Sequence, residues 1–342
     1  MRPVTTILIT SIAVLAISTG CHVPIRRGLI KRVETRTLEL KPGGHLFASA
    51  FNGSISAEGW ERDEVCLVAV IRERREGDVH FAAESKNGRV EIKAEQKDRR
   101  KFAFNFGESS SASYTLQIPR KTMVTLVTSN DWIEIRRIDN EVDAKTSNGT
   151  ITADEIGANA RLTTSNAYIK SSSIKGELVA KTSNDFLDIR DVQGEADLRT
   201  SNAKIEVRNV KGKTSVITSN ASIIASNIEG DLKGRSSNGK IDIQQILGAI
   251  DLSTSNASIK AAYLNGKGRG IRLFTSNANV DVTLGEAQGI VKAFSSGDGN
   301  KSVHFENPNI QSTKEDSATR AKIGNSDQLI EFTTSNGKIT IR

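Results

Sequence analysis

The tripeptide Thr/Ser-Ser-Asn ends at Asn130, Asn148, Asn166, Asn184, Asn202, Asn220, Asn238 and Asn256, each 18 residues after the last, and further copies end at Asn277 and Asn336. A fixed short period repeated this often leaves few folds open, because each unit is one small element that buries its face only against its neighbours. The third residue after Asn is apolar, as in Ile133, Ile151, Ile169 and Leu187, and so is the eighth, as in Ile138, Ile156, Ile174 and Val192. A helical repeat would need apolar residues at three- and four-residue spacing over ten or more positions. This unit instead shows short alternating runs punctuated by Gly176, Gly194, Gly212, Gly230, Gly248 and Gly266, which reads as strands. The chain is therefore all-β: a parallel β-solenoid, or β-helix, of 18-residue coils stacked about 4.8 Å apart. The motifs from Asn130 to Asn277 would make a rod roughly 40 Å long at that spacing. The apolar columns do not fall into three blocks of six, so the hexapeptide left-handed helix fits poorly. An aromatic content of only 5% is what a core of one small coil copied many times requires.

The column Asn130, Asn148, Asn166, Asn184, Asn202, Asn220, Asn238, Asn256 and Asn277 is expected to be structural. Stacked Asn amides can hydrogen-bond from coil to coil, and Asn tolerates the left-handed backbone of a tight corner. The Thr two residues earlier should point inward with its hydroxyl bonded to a neighbouring coil. Calcium-binding β-rolls need repeated Asp and a Gly-rich nonapeptide, which this repeat lacks. Copies such as Asn148-Gly149-Thr150 read as glycosylation sequons, incidental behind a bacterial export signal.

That signal is the uncharged run Val4 to Ile17 behind Arg2, followed by Ser18, Thr19, Gly20 and Cys21. Small residues before a cysteine resemble the lipobox of bacterial lipoproteins, which makes Cys21 the expected site of lipidation; cleavage after Ser18 by the ordinary signal peptidase is the alternative. His22 in place of Asp favours an outer-membrane destination by resemblance to enteric lipoproteins, with the periplasm as the other address. Residues 1–20 thus read as a signal peptide and 21–36 as a basic tether carrying Arg26, Arg27, Lys31, Arg32 and Arg36, able to touch anionic head groups. Residues 37–125 read as a strand-rich N-terminal region capping the rod, with Asn52-Gly53 and Asn87-Gly88 as degenerate corners. Residues 126–297 form the regular solenoid, and 298–342 a long loop ending in a closing strand. Cys66, inside an apolar run, is expected to be a buried strand residue.

Gly43-Gly44, Asn52-Gly53-Ser54-Ile55, Gly59-Trp60, Tyr114-Thr115-Leu116-Gln117-Ile118-Pro119 and the Thr-Ser-Asn units carry a family resemblance. Over roughly residues 35–285 the sequence resembles the bacterial putative-adhesin β-strand-repeat family, adhesin-domain envelope proteins of unknown function. The resemblance implies a β-helical protein on the cell surface or in the periplasm and supplies no catalytic residue or cofactor.

His22, His45, His80 and His304 lie far apart and outside the regular coils, so a histidine or zinc site is not expected. Carbohydrate-active β-helix enzymes place carboxylates on adjacent coils, and Asp188 and Glu206 occupy equivalent positions one coil apart. The rest of their column mixes both signs, as a solvated, ion-paired face does. Two positions after Asn stand Trp132, Tyr168 and Phe186, which alternation turns outward. They suit stacking on sugar rings or a protein contact. The preferred expectation is that the N-terminal region packs over them, since it joins at that end. Of the net charge of +7, little belongs to the regular coils, where both signs balance, so nucleic-acid binding is not expected. The reading is a non-catalytic envelope β-solenoid with adhesin-like binding to a glycan or protein, held to the membrane by its N-terminal lipid. A polysaccharide lyase or glycoside hydrolase using Asp188 and Glu206 is the first alternative, and an envelope assembly or signalling scaffold the second.

Overall fold

The computed structural model describes residues 29–96, 109–265, 270–296, 303–307, 310–315 and 318–342. The signal segment, Cys21, most of the basic tether and Gly266 lie outside them. The described residues fold as strands and turns in two long sheets of 15 and 16 strands, a parallel β-solenoid. Each regular coil gives one six-residue strand to the first sheet and one short strand to the second, for example Leu187–Val192 and Ala196–Arg199. Successive coils pair parallel and in register, so that Ile169 stands against Leu187 and Leu187 against Ile205. The period of 18 therefore becomes columns. The third, fifth and eighth residues after Asn are buried, and they face the alternate buried residues of the second sheet, such as Leu178 and Ala180. Tyr114 and Phe332, the bulkiest fully buried side chains, sit near the two ends of the rod, not among the regular coils.

Burial of both the fifth and the eighth residue requires a change of parity, because strict alternation would bury the seventh. The chain supplies it with one residue in the left-handed region at the seventh position: Arg137, Glu155, Ser173, Asp191, Asn209, Asn227, Gln245 and Tyr263 have φ of 55–58°. These residues are skipped in the ladder on both strands alike, where Asp154 pairs with Arg136 and Ile156 with Ile138, so the bulge repeated once per coil is a stacked kink with no extra residue on either strand. The sequence reading placed the left-handed backbone at the Asn of Thr-Ser-Asn, and the structure corrects it. Of the ladder asparagines only Asn52 has positive φ. The Thr-Ser-Asn bend is instead fixed from the preceding coil, where one Ser carbonyl accepts two backbone N–H groups, as Ser183 O does from Ser201 and Asn202 at 3.1 and 3.0 Å.

The N-terminal region comprises β1 (Ile30–Glu39), β2 (His45–Ser49), β3 (Ile55–Trp60), β4 (Glu64–Glu73), β5 (Val79–Lys86), β6 (Arg89–Gln96), β7 (Ser111–Pro119) and β8 (Met123–Val127). β2 and β3 with Asn52 between them form a coil on which the rod stacks, β2 pairing with β8 and β3 with Ile133–Ile138. β6 and β7 stack in parallel outside that coil, and β5, β4 and β1 then add antiparallel. The Arg32 and Arg36 guanidiniums of β1 donate to the carbonyls of Val79 and Ala83 at 3.3 and 3.2 Å, tying the outermost strands of the two sheets together. Beneath them the Tyr114 hydroxyl donates to Ser49 O at 3.0 Å, and burial holds this phenol protonated well above its ordinary range.

Three expectations change here. Residues 30–36, read as tether, are the edge strand β1, because alternate residues meet β4 and the arginines reach across to β5. Cys66 is only half-buried: β4 turns Val65 and Leu67 inward and Cys66 out. The stretch read as a loop after residue 298 contains the strands Val303–Phe305, Ser312–Glu315 and Ala318–Ile323. The last strands do not lie outermost either. Leu329–Thr334 inserts between Ile271–Thr275 and Gly289–Ser295, and Ile339–Ile341 between Val280–Thr283 and Val303–Phe305. Both ends thus have an intercalated coil, with antiparallel strands beyond it in both sheets at the N-terminal end and in the second sheet at the C-terminal end.

Candidate functional site

Three columns carry the residues singled out in the sequence. At the Thr-Ser-Asn bend each Asn side-chain N–H donates to the Oδ1 of the preceding coil, for instance Asn202 to Asn184 at 2.8 Å and Asn220 to Asn202 at 2.8 Å. The column runs from Asn130 through Asn148, Asn166, Asn238 and Asn256 to Asn277. It extends further at both ends, since Asn130 donates to Asn52 and Asn336 to Asn277. The Thr two residues earlier is buried and donates across to the preceding coil, Thr182 to Ala167 O at 2.9 Å and Thr254 to Gly239 O at 3.2 Å. Each hydroxyl satisfies a carbonyl at a bend that no strand partner reaches.

The aromatic column stands on the outer face of the first sheet, beside that ladder. Trp132 is 40% exposed and Phe186 38%, with Tyr168 between open and buried. The expected covering by the N-terminal region does not hold for these faces, because β2 and β3 continue the stack along the rod axis and do not fold across the sheet. Tyr168 and Phe186 are one coil apart and stack with ring centroids 5.2 Å apart and planes 14° from parallel. Trp132 stands two coils from Tyr168, with Thr150 between, and is not brought into the stack. The Asp before Trp132 and the Asp before Phe186 each accept the aromatic residue's backbone N–H, at 2.8 Å in both cases, fixing where the ring leaves the bend.

Asp188 and Glu206 are in-register neighbours on the same face. Arg190 donates to both oxygens of Asp188, at 3.0 and 3.1 Å, while Lys204 and Arg208 engage the two oxygens of Glu206. The partners come from the same strand two residues away, the spacing that puts side chains on one face. Glu134 with Arg136 and Lys240 with Asp242 repeat the arrangement. These carboxylates are ion-paired along their own face, the pattern of a solvated surface that carries both signs.

The histidines are dispersed. His45 on β2 lies 3.0 Å from the Thr125 hydroxyl, and burial, with the Arg89 charge, lowers its pKa from the ordinary value. His80 and His304 are exposed on other strands, and His22 lies outside the described residues.

No family model matches the chain, and no curated protein matches it. Among solved structures, one of a putative cell adhesion protein from Clostridium sporogenes ATCC 15579 aligns over 91% of this chain and 99% of its own, at 10% identity and a TM-score of 0.26. At that identity and score the likeness says nothing about activity.

Proposed function

We propose that this chain is a non-catalytic, exported β-solenoid of the bacterial envelope, anchored through a lipidated Cys21, that binds a glycan or protein partner in the manner of an adhesin. The observation that carries the binding role is the solvent-open Tyr168–Phe186 stack with Trp132 in the same column. Two stacked rings on a rigid sheet offer their edges and the outer faces of the stack as an apolar contact whose ordering cost is already met by the fold. The pairing of Asp188 with Arg190 and of Glu206 with Lys204 and Arg208 favours this reading over glycoside cleavage, as members of a charge-balanced outer face.

Glycan-array and envelope cross-linking assays on the mature protein test the role. Tyr168→Ala and Phe186→Ala should each weaken binding about tenfold, near the 1.4 kcal/mol expected of losing one stacking partner. Trp132→Ala should weaken it less. Binding that survives all three changes would remove the aromatic column from the function, and polysaccharide turnover lost in Asp188→Asn would restore the enzyme reading. For the anchor, metabolic labelling with a fatty-acid analogue should mark the parent protein and disappear in Cys21→Ser. An unlabelled parent would rule the anchor out.

A further inference from the structure

The bulge that redirects each coil also opens a groove. Where the first sheet turns toward the second, the left-handed seventh residue and the ninth residue point apart, leaving a cleft of about 610 Å³ that runs along the rod across five coils, from Ser173 to Gln245. Val192 and Ile228 form its floor. One wall is rich in carboxamides, with Asn209, Asn227 and Gln245 above Asp191. This wall is ordered before any ligand arrives: Asn209 donates to Asp191 Oδ1 at 2.8 Å, and Asn227 to Asn209 Oδ1 at 2.9 Å. Each amide has a second N–H and a second lone pair beyond that bond.

We propose that this groove is a binding site separate from the aromatic column, and that it takes a neutral, extended β-1,4-linked glycan lying parallel to the rod. Three observations select that occupant. Carboxamides offer donors and acceptors together, which is what a row of sugar hydroxyls needs. The charged groups lining the cleft cancel, Lys175 and Lys211 against Asp191 and Glu229, so the cleft does not select a polyanion. The third is register: equivalent groups recur once per coil, about every 4.8 Å. That is of the order of the step of an extended hexopyranose chain, whose two-fold screw returns the same ring face at every second sugar and so close to every second coil, whereas a bound peptide strand returns its side chains every two residues, roughly 6.7 Å, and falls out of step with the coils.

The test is calorimetric titration of the full mature protein with chito- and cello-oligosaccharides from two to eight units. Affinity should climb with length until the ligand spans the five coils and then level off. The double variant Asn209→Gly/Asn227→Gly removes the amides while glycine keeps the left-handed backbone, and should lose at least tenfold in affinity. Gln193→Trp, at an exposed position of ordinary backbone, should obstruct the groove to the same degree without touching the amides. Tyr168→Ala and Phe186→Ala should leave this binding unchanged, which separates the site from the aromatic column. Absence of binding, affinity independent of length, preference for oligogalacturonate, or full affinity in both groove variants would each overturn the proposal. Loss in the aromatic variants alone would overturn it while supporting the other site.

Discussion

Ser173 and Gly212 occupy two turns of the same coil type and impose opposite demands. Ser173 has φ of 58° with its side chain free to leave the rod, so any residue that tolerates the left-handed region can stand there. The column accordingly holds Arg, Glu, Ser, Asp, Asn, Gln and Tyr, and no β-branched residue. Gly212 has no such freedom: a Cβ there would meet the Gly194 carbonyl oxygen at 2.3 Å, and the same crowding recurs at Gly230 over Gly212. Gly212→Ala should destabilise the fold by about 1–3 kcal/mol, read as a lowered urea midpoint, because coil backbones must move apart. Ser173→Gly should leave the midpoint unchanged or raise it slightly. This contrast explains what could be read in advance. The Asn and Gly columns were legible because one residue type recurs through most or all of each column. The bulge was not, because its requirement excludes a few residue types and selects none, and the groove it creates was missed with it.

At the scale of the element, the coil is the repeating unit of both packing and hydrogen bonding. The apolar columns at the third and eighth positions were enough to identify strands and the parallel stack, since a fixed period leaves register no alternative. What joins one coil to the next is a set of equivalent bonds: strand pairs, an Asn amide and a Thr hydroxyl. Stability should then add nearly coil by coil. Deleting Asp185 to Asn202 joins Asn184 to Ala203 in register and should preserve the β-rich circular dichroism spectrum with a modest fall in melting temperature. Deleting only Asp185 to Gln193 joins the bend to the wrong face and should abolish cooperative melting. Equal behaviour of the two deletions would contradict columnar stacking. The first deletion also removes Phe186 and should weaken aromatic binding as Phe186→Ala does.

For the molecule as a whole, the ends decide whether the rod stays single. A parallel stack left open offers unpaired strand edges to other chains. Here both sheets pass into antiparallel strands at the N-terminal end, with β1 and β5 cross-tied by Arg32 and Arg36, and the second sheet does so at the C-terminal end. None of this spatial order was legible, because the period lapses at the ends and strand order there follows pairings remote in sequence. Truncation after Gln328 removes Leu329–Thr334 and Ile339–Ile341, and with them the seat of Gly289–Ser295. The truncated protein should form higher oligomers in size-exclusion chromatography, whereas loss of an internal coil should leave a monomer-sized or parent-like peak. The intercalated final coil also has a temporal consequence. Whether it emerges from the ribosome or crosses a membrane N-terminus first, the chain delivers Gly289–Ser295 well before its partner Leu329–Thr334. Until Leu329–Thr334 has followed, Gly289–Ser295 lacks the neighbour that seats it on the rod, so this end of the stack closes after the regular coils.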